Sequence, residues 1–125
     1  METILLALLA DCRFLESLPE DHEFARQRHE YERYGVRHYL GRWLGHAPTA
    51  AQSAVFSRTL RSMAMFGLVE RVRRWGGQRS THVRLTPLGR SEAERLHVER
   101  EAQAEALTKD LVWDLDDLAV VGTSD

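Results

Sequence analysis

The run Ser53–Arg90, SAVFSRTLRSMAMFGLVERVRRWGGQRSTHVRLTPLGR, leaves few folds open. An arginine-bearing helical period ends at Gly67. Two short segments rich in Val and Leu, 68–74 and 80–85, flank the tip WGGQR. Glycines at such a tip accept positive φ, so the two segments read as a hairpin. Thr86 then caps and Pro87 opens a further helix. Helix, stop, basic hairpin and helix follow one another within 38 residues, Ser53 to Arg90.

Charge is gathered on the same run. Residues 53–84 hold seven arginines (Arg58, Arg61, Arg71, Arg73, Arg74, Arg79 and Arg84) against Glu70 alone, a local charge of +6. Residues 1–52 hold six arginines against eight carboxylates, and residues 85–125 four basic groups against ten carboxylates. A net charge of -2 therefore hides a basic centre between acidic ends. A polyanion is the natural partner of such a localised field. The chain has a single lysine, so part of this signal is a general preference for arginine.

The flanks read as helices. Residues 3–17 place Leu5, Leu8, Leu9, Cys12 and Leu15 on one face at helical spacing. Cys12 falls in that stripe and reads as a small core residue. SLPED stops this helix and starts the next, where Phe24, Tyr31 and Tyr34 recur up to a break at Gly35. A short helix is expected over 36–44. Pro48 disfavours helical geometry at Ala47, and Thr49 caps a helix over 49–66. In that helix Phe56, Leu60 and Met63 form the stripe for burial. Gln52, Ser53, Ser57, Arg58 and Arg61 are left for the outer side. The last helix is expected to reach about residue 111, with an acidic and apolar tail over 113–125.

Length and composition fit one globular domain, taken as 1–112. One cysteine excludes an internal disulfide and fits a reducing cytoplasm. The apolar start has Glu2 where a signal peptide needs a basic region, and it stops at Asp11. The six histidines show no metal-binding spacing of the HExxH kind, and His22 and His29 lie seven apart among charges. Gly76 and Gly77 lie between strands with no helix after them, so they form no phosphate cradle. Neither catalysis, a metal nor a cofactor is expected.

Ser57, Arg58, Leu60, Arg61 and Met63, followed by Gly67-Leu68-Val69-Glu70-Arg71, resemble the DNA-binding core of MarR-type transcriptional regulators. So do Thr81, Leu85, Thr86, Gly89 and Arg90, which follow the hairpin. The likeness covers about a third of the chain. It implies a mainly α fold with a two-stranded wing, a winged helix-turn-helix flanked by N- and C-terminal helices, with its core at about 36–90. The expected partner is double-stranded DNA. The helix over 49–66 would enter the major groove, where Gln52 pairs with adenine, Arg58 or Arg61 with guanine, and Ser53 or Ser57 with a base or a phosphate. The wing over 68–85 would set Arg73, Arg74, Gln78 and Arg79 on the backbone or in the minor groove. The apolar stripes of the first and last helices exceed one small core. This assigns Leu5, Leu8 and Leu9, with Leu107 and Leu111, to a homodimer contact, and the resemblance implies the same pairing. The sequence identifies no effector.

The chain departs from that family pattern at Ala64, Met65 and Phe66, where the family has charged residues. An exposed apolar patch there marks an interface. It keeps open a protein-binding adaptor that does not touch DNA.

Overall fold

The computed structural model describes the backbone of residues 1–74 and 79–123, and the side chains of residues 1–74 and 79–110. The chain divides into two compact units, Met1–Glu94 and Arg95–Asp125.

In the first unit, α1 (Glu2–Glu16) buries Leu5, Leu8, Leu9 and Cys12, the face expected from their spacing. A 3₁₀ turn (His22–Phe24) leads into α2 (Ala25–Tyr34), which ends at Gly35. No residue of α2 is fully buried. The next element corrects the sequence expectation, because the helix predicted from residue 36 begins only at Leu40 as α3 (Leu40–Leu44). Val36 and Arg37 instead form a strand, β1. β-Branched Val36 finds an open ladder beside Val83, and a pairing two residues long carries no sequence periodicity of its own.

Helix α4 (Ala50–Met65) starts with the expected Thr49 cap, made reciprocal by Gln52. The Gln52 backbone N–H donates to Thr49 Oγ1 (3.1 Å), and the Thr49 N–H donates to Gln52 Oε1 (2.9 Å). Gly67, at φ 75°, ends it. Strands β2 (Val69–Val72) and β3 (His82–Leu85) form the expected hairpin. β1 extends it to a three-stranded antiparallel sheet of order β1-β3-β2. The central strand is covered on both sides, so His82 and Val83 are both buried although neighbours on a strand point to opposite faces.

Thr86 joins the end of α4 to the start of α5 (Pro87–Thr123). Its hydroxyl donates to the Gly67 carbonyl and accepts the Gly89 N–H at 3.0 Å. Trp43 and Phe56 meet edge to face at 5.5 Å, and the Trp43 indole donates to Asp11 at 2.9 Å, tying α3 to α4 and α1. Each fully buried leucine, such as Leu8 or Leu9, contributes roughly 1.5–3 kcal/mol.

The second unit is the remainder of α5. Arg95 pairs with Glu99 at 2.6 Å, and His97 lies 3.1 Å from Glu101, both at helical i,i+4 spacing. The helix passes the expected end near 111 and reaches Thr123, since the sequence holds neither Gly nor Pro between 112 and 121. Among the described residues no helix is long and apolar enough to cross a membrane.

Candidate nucleic-acid interface

Helix α4 divides its residues as its spacing requires. Phe56, Leu60 and Met63 are buried, while Ser53, Ser57, Arg58 and Arg61 are exposed. Gln52 is only half-exposed, and its side-chain oxygen is held by the cap. Only its amide N–H₂ remains for an outside acceptor, so it cannot offer adenine both halves of the pairing without breaking the cap.

The hairpin splits its arginines. Arg73 and Arg79 are exposed. Arg74, expected on a phosphate, turns inward: its Nη1 lies 3.2 Å from Glu30 Oε1, and its guanidinium rests over Tyr34, 5.2 Å from the ring centre. A carboxylate on α2 thus already supplies the anion. Arg84 is also engaged within the chain and donates to the Arg33 carbonyl at 2.7 Å, at the C-terminal end of α2. Gln78 and Trp75 lie outside the described residues.

Arg58, Arg61, Arg71, Arg73 and Arg79 make no ion pair among the described residues, whereas several arginines of the flanks are matched. Arg42 holds Asp11 at 2.8 Å, Arg28 lies 3.7 Å from Glu20, and Arg90 holds Glu16 at 2.7 Å and Glu94 at 3.2 Å. Five unmatched and exposed arginines thus lie on α4 and the hairpin.

Sequence reasoning missed the group that holds the base of the hairpin. His82 is 0% exposed. The Arg74 backbone N–H donates to Thr81 Oγ1 (3.1 Å), which lies 2.7 Å from His82 Nδ1, and His82 Nε2 lies 2.7 Å from Glu30 Oε1. A neutral ring here carries its proton on Nε2 and donates it to the carboxylate, leaving Nδ1 to accept from the Thr81 hydroxyl. The long separation between Glu30 and His82 left no local signal of this pairing.

Burial alone would raise the Glu30 pKa, but the His82 hydrogen bond and the charges of Arg37 and Arg74 hold it below its ordinary value of 4.5. The unfolded chain therefore binds this proton more readily. The stabilisation is fully present above the unfolded value and is lost as pH falls through the lower folded one. Glu30→Gln is expected to lower the urea midpoint at neutral pH and to make the midpoint less sensitive to acid. An unchanged slope of midpoint against pH below 4.5 would refute this role for Glu30.

The dimer assignment needs correcting. Leu5, Leu8 and Leu9 were expected between subunits, yet the single chain already buries them, at 3%, 0% and 1% exposure. α1 packs on α2 and β1 of the same chain. Leu107 is exposed, and the Leu111 side chain lies outside the described residues. At the end of α4, Met65 and Phe66 are 83% and 67% exposed.

Cys12 is buried, and that burial pushes its thiol pKa up, away from the reactive thiolate. Among the described residues no three His, Cys, Asp or Glu side chains converge as metal ligands. Comparison of the chain with family models, with curated proteins and with solved structures gave no match.

Proposed function

We propose that the chain is a winged helix-turn-helix module that binds double-stranded DNA and regulates transcription. α4 enters the major groove, and the β2–β3 hairpin lies on the backbone or in the adjacent minor groove. The observation that carries this reading is that five exposed arginines of α4 and the hairpin, Arg58, Arg61, Arg71, Arg73 and Arg79, have no acidic partner among the described residues. The order of helices and strands and the turn between α3 and α4 support it. Ser53, Ser57, Arg58 and Arg61 read the groove, while Arg73 and Arg79 hold phosphates. Arg74 braces the hairpin from within. A second copy completes the assembly through the exposed Leu107 of the second unit, and sedimentation at micromolar concentration checks that pairing.

Binding to duplex DNA at two salt concentrations tests the reading. Affinity is expected to fall steeply with salt, and Arg73→Ala or Arg79→Ala should weaken all sequences alike while flattening the log–log dependence by about one unit. Arg61→Ala is expected to cost about 1–3 kcal/mol at the preferred site and to relax its base preference. Leu60→Ala should instead lose about 2–5 kcal/mol of stability by opening a core cavity. Wild-type affinity of Arg61→Ala for every sequence would remove α4 from the groove.

One observation favours a second reading. Met65 and Phe66 form an exposed apolar knob beside the basic face, which suits a protein partner. An adaptor of that kind shows no salt-sensitive binding to bulk duplex DNA.

A further inference from the structure

Helix α2 gathers two arginines and a histidine on one largely exposed face. Arg26, His29, Glu30, Arg33 and Tyr34 follow the i, i+3, i+4, i+7, i+8 pattern of one helical face. That face lines a hollow of about 530 Å³, closed by Arg37 of β1 and by Arg74 at the base of the hairpin. The volume lies within the usual range for small-ligand sites, roughly 300–1,000 Å³.

Four arginines therefore line one hollow, and two of them approach its single carboxylate. Glu30 Oε1 lies 3.5 Å from Arg37 and 3.2 Å from Arg74, and it also takes the His82 contact, so its charge is already engaged. Among the described residues Arg26 and Arg33 have no acidic partner. Tyr34 helps to hold two of the guanidinium groups, Arg33 at 5.5 Å and Arg74 at 5.2 Å from its ring centre. Gathering like charges in one concavity costs Coulomb energy, and an anion of matching charge relieves it.

We propose that this hollow binds a small, multiply charged phosphate anion of about the size of pyrophosphate. Planar guanidinium forks donate paired hydrogen bonds to phosphate oxygens, and more than one phosphoryl group is needed to meet Arg26, Arg33 and the Arg37–Arg74 side together. The concave shape favours a small anion over a duplex, whose backbone is a convex ridge. None of Arg58, Arg61, Arg73 and Arg79 lines the hollow, so the site stands apart from the proposed reading surface and does not rest on DNA binding.

Calorimetric titration of the full chain with pyrophosphate in near-physiological salt tests this. Saturable binding at one site per chain is expected. Arg26→Ala and Arg33→Ala, both surface changes, should each weaken it about tenfold or more while leaving the thermal melt unchanged. Arg58→Ala on α4 should leave pyrophosphate affinity as in the wild type. Three results would each overturn the proposal. The first is no saturable binding at millimolar pyrophosphate. The second is an equal loss in Arg58→Ala, which would mean diffuse attraction. The third is a pair of α2 variants that weaken duplex DNA binding while pyrophosphate gives no heat, which would hand the arginines to nucleic acid.

Discussion

Gly89→Ala is expected to cost about 3 kcal/mol or more and to leave little folded protein at physiological temperature. Helix propensity alone predicts the opposite sign, since alanine in place of glycine within a helix gains about 1 kcal/mol. Space decides. A Cβ built at Gly89 would lie 1.8 Å from the Leu68 carbonyl oxygen and 2.7 Å from its carbon. These are backbone atoms, and they cannot swing aside as a long side chain can. The Leu68 carbonyl also accepts the Thr86 N–H at 3.1 Å, and Gly89 itself donates to the Thr86 hydroxyl. Relieving the clash means pulling the first turn of α5 away from the end of α4 and breaking the Thr86 bridge. Urea unfolding followed by circular dichroism measures the effect, with Leu88→Ala, an exposed neighbour, as the control. A midpoint for Gly89→Ala equal to that of the wild type would show that α5 does not lie so close to Leu68.

Leu8→Asp is expected to lose roughly 4–5 kcal/mol, enough to unfold a domain of ordinary stability. Leu8 is 0% exposed, and an aspartate there has neither water nor a cation with which to offset its desolvation. The outcome separates two structural claims. A leucine at a subunit contact, replaced by aspartate, yields a folded monomer. A leucine inside the chain's own core yields an unfolded or insoluble one. Circular dichroism together with sedimentation distinguishes them, and Leu8→Ala supplies a graded companion at about 2–5 kcal/mol. A well-folded Leu8→Asp monomer would return α1 to the dimer contact.

What the sequence disclosed depended on whether the determining contact was local. The face and cap of α4 rest on Thr49, Phe56, Leu60 and Met63, all local to one helix and legible from it, whereas Gln52, read as a groove contact, serves the cap. Gly67 and Thr86 were legible as stop and cap, though not as parts of one joint with Gly89. β1 was not legible, because Val36 owes its conformation to Val83, 47 positions later. The same holds for Arg74 and Arg84. Composition marks both as members of a basic segment, yet Glu30 and the α2 carbonyls engage them within the chain. Charge patterning counts cations and does not say which are already matched. The stripe of α1 failed as a dimer signal for a related reason: periodicity reports that a face will be covered, not by which chain.

The strand order carries a consequence for how copies of this chain meet. With β3 in the middle, the sheet ends in β1 on one side and β2 on the other. β1 offers only two residues, too few to template a further strand. β2 is longer, but Glu70 and Arg71 are exposed along it and Arg73 follows, and charged, well-hydrated side chains on an edge discourage strand addition. Neither margin invites strand addition. Orderly self-association is thereby left to helices, since neither sheet margin offers a template for a further strand.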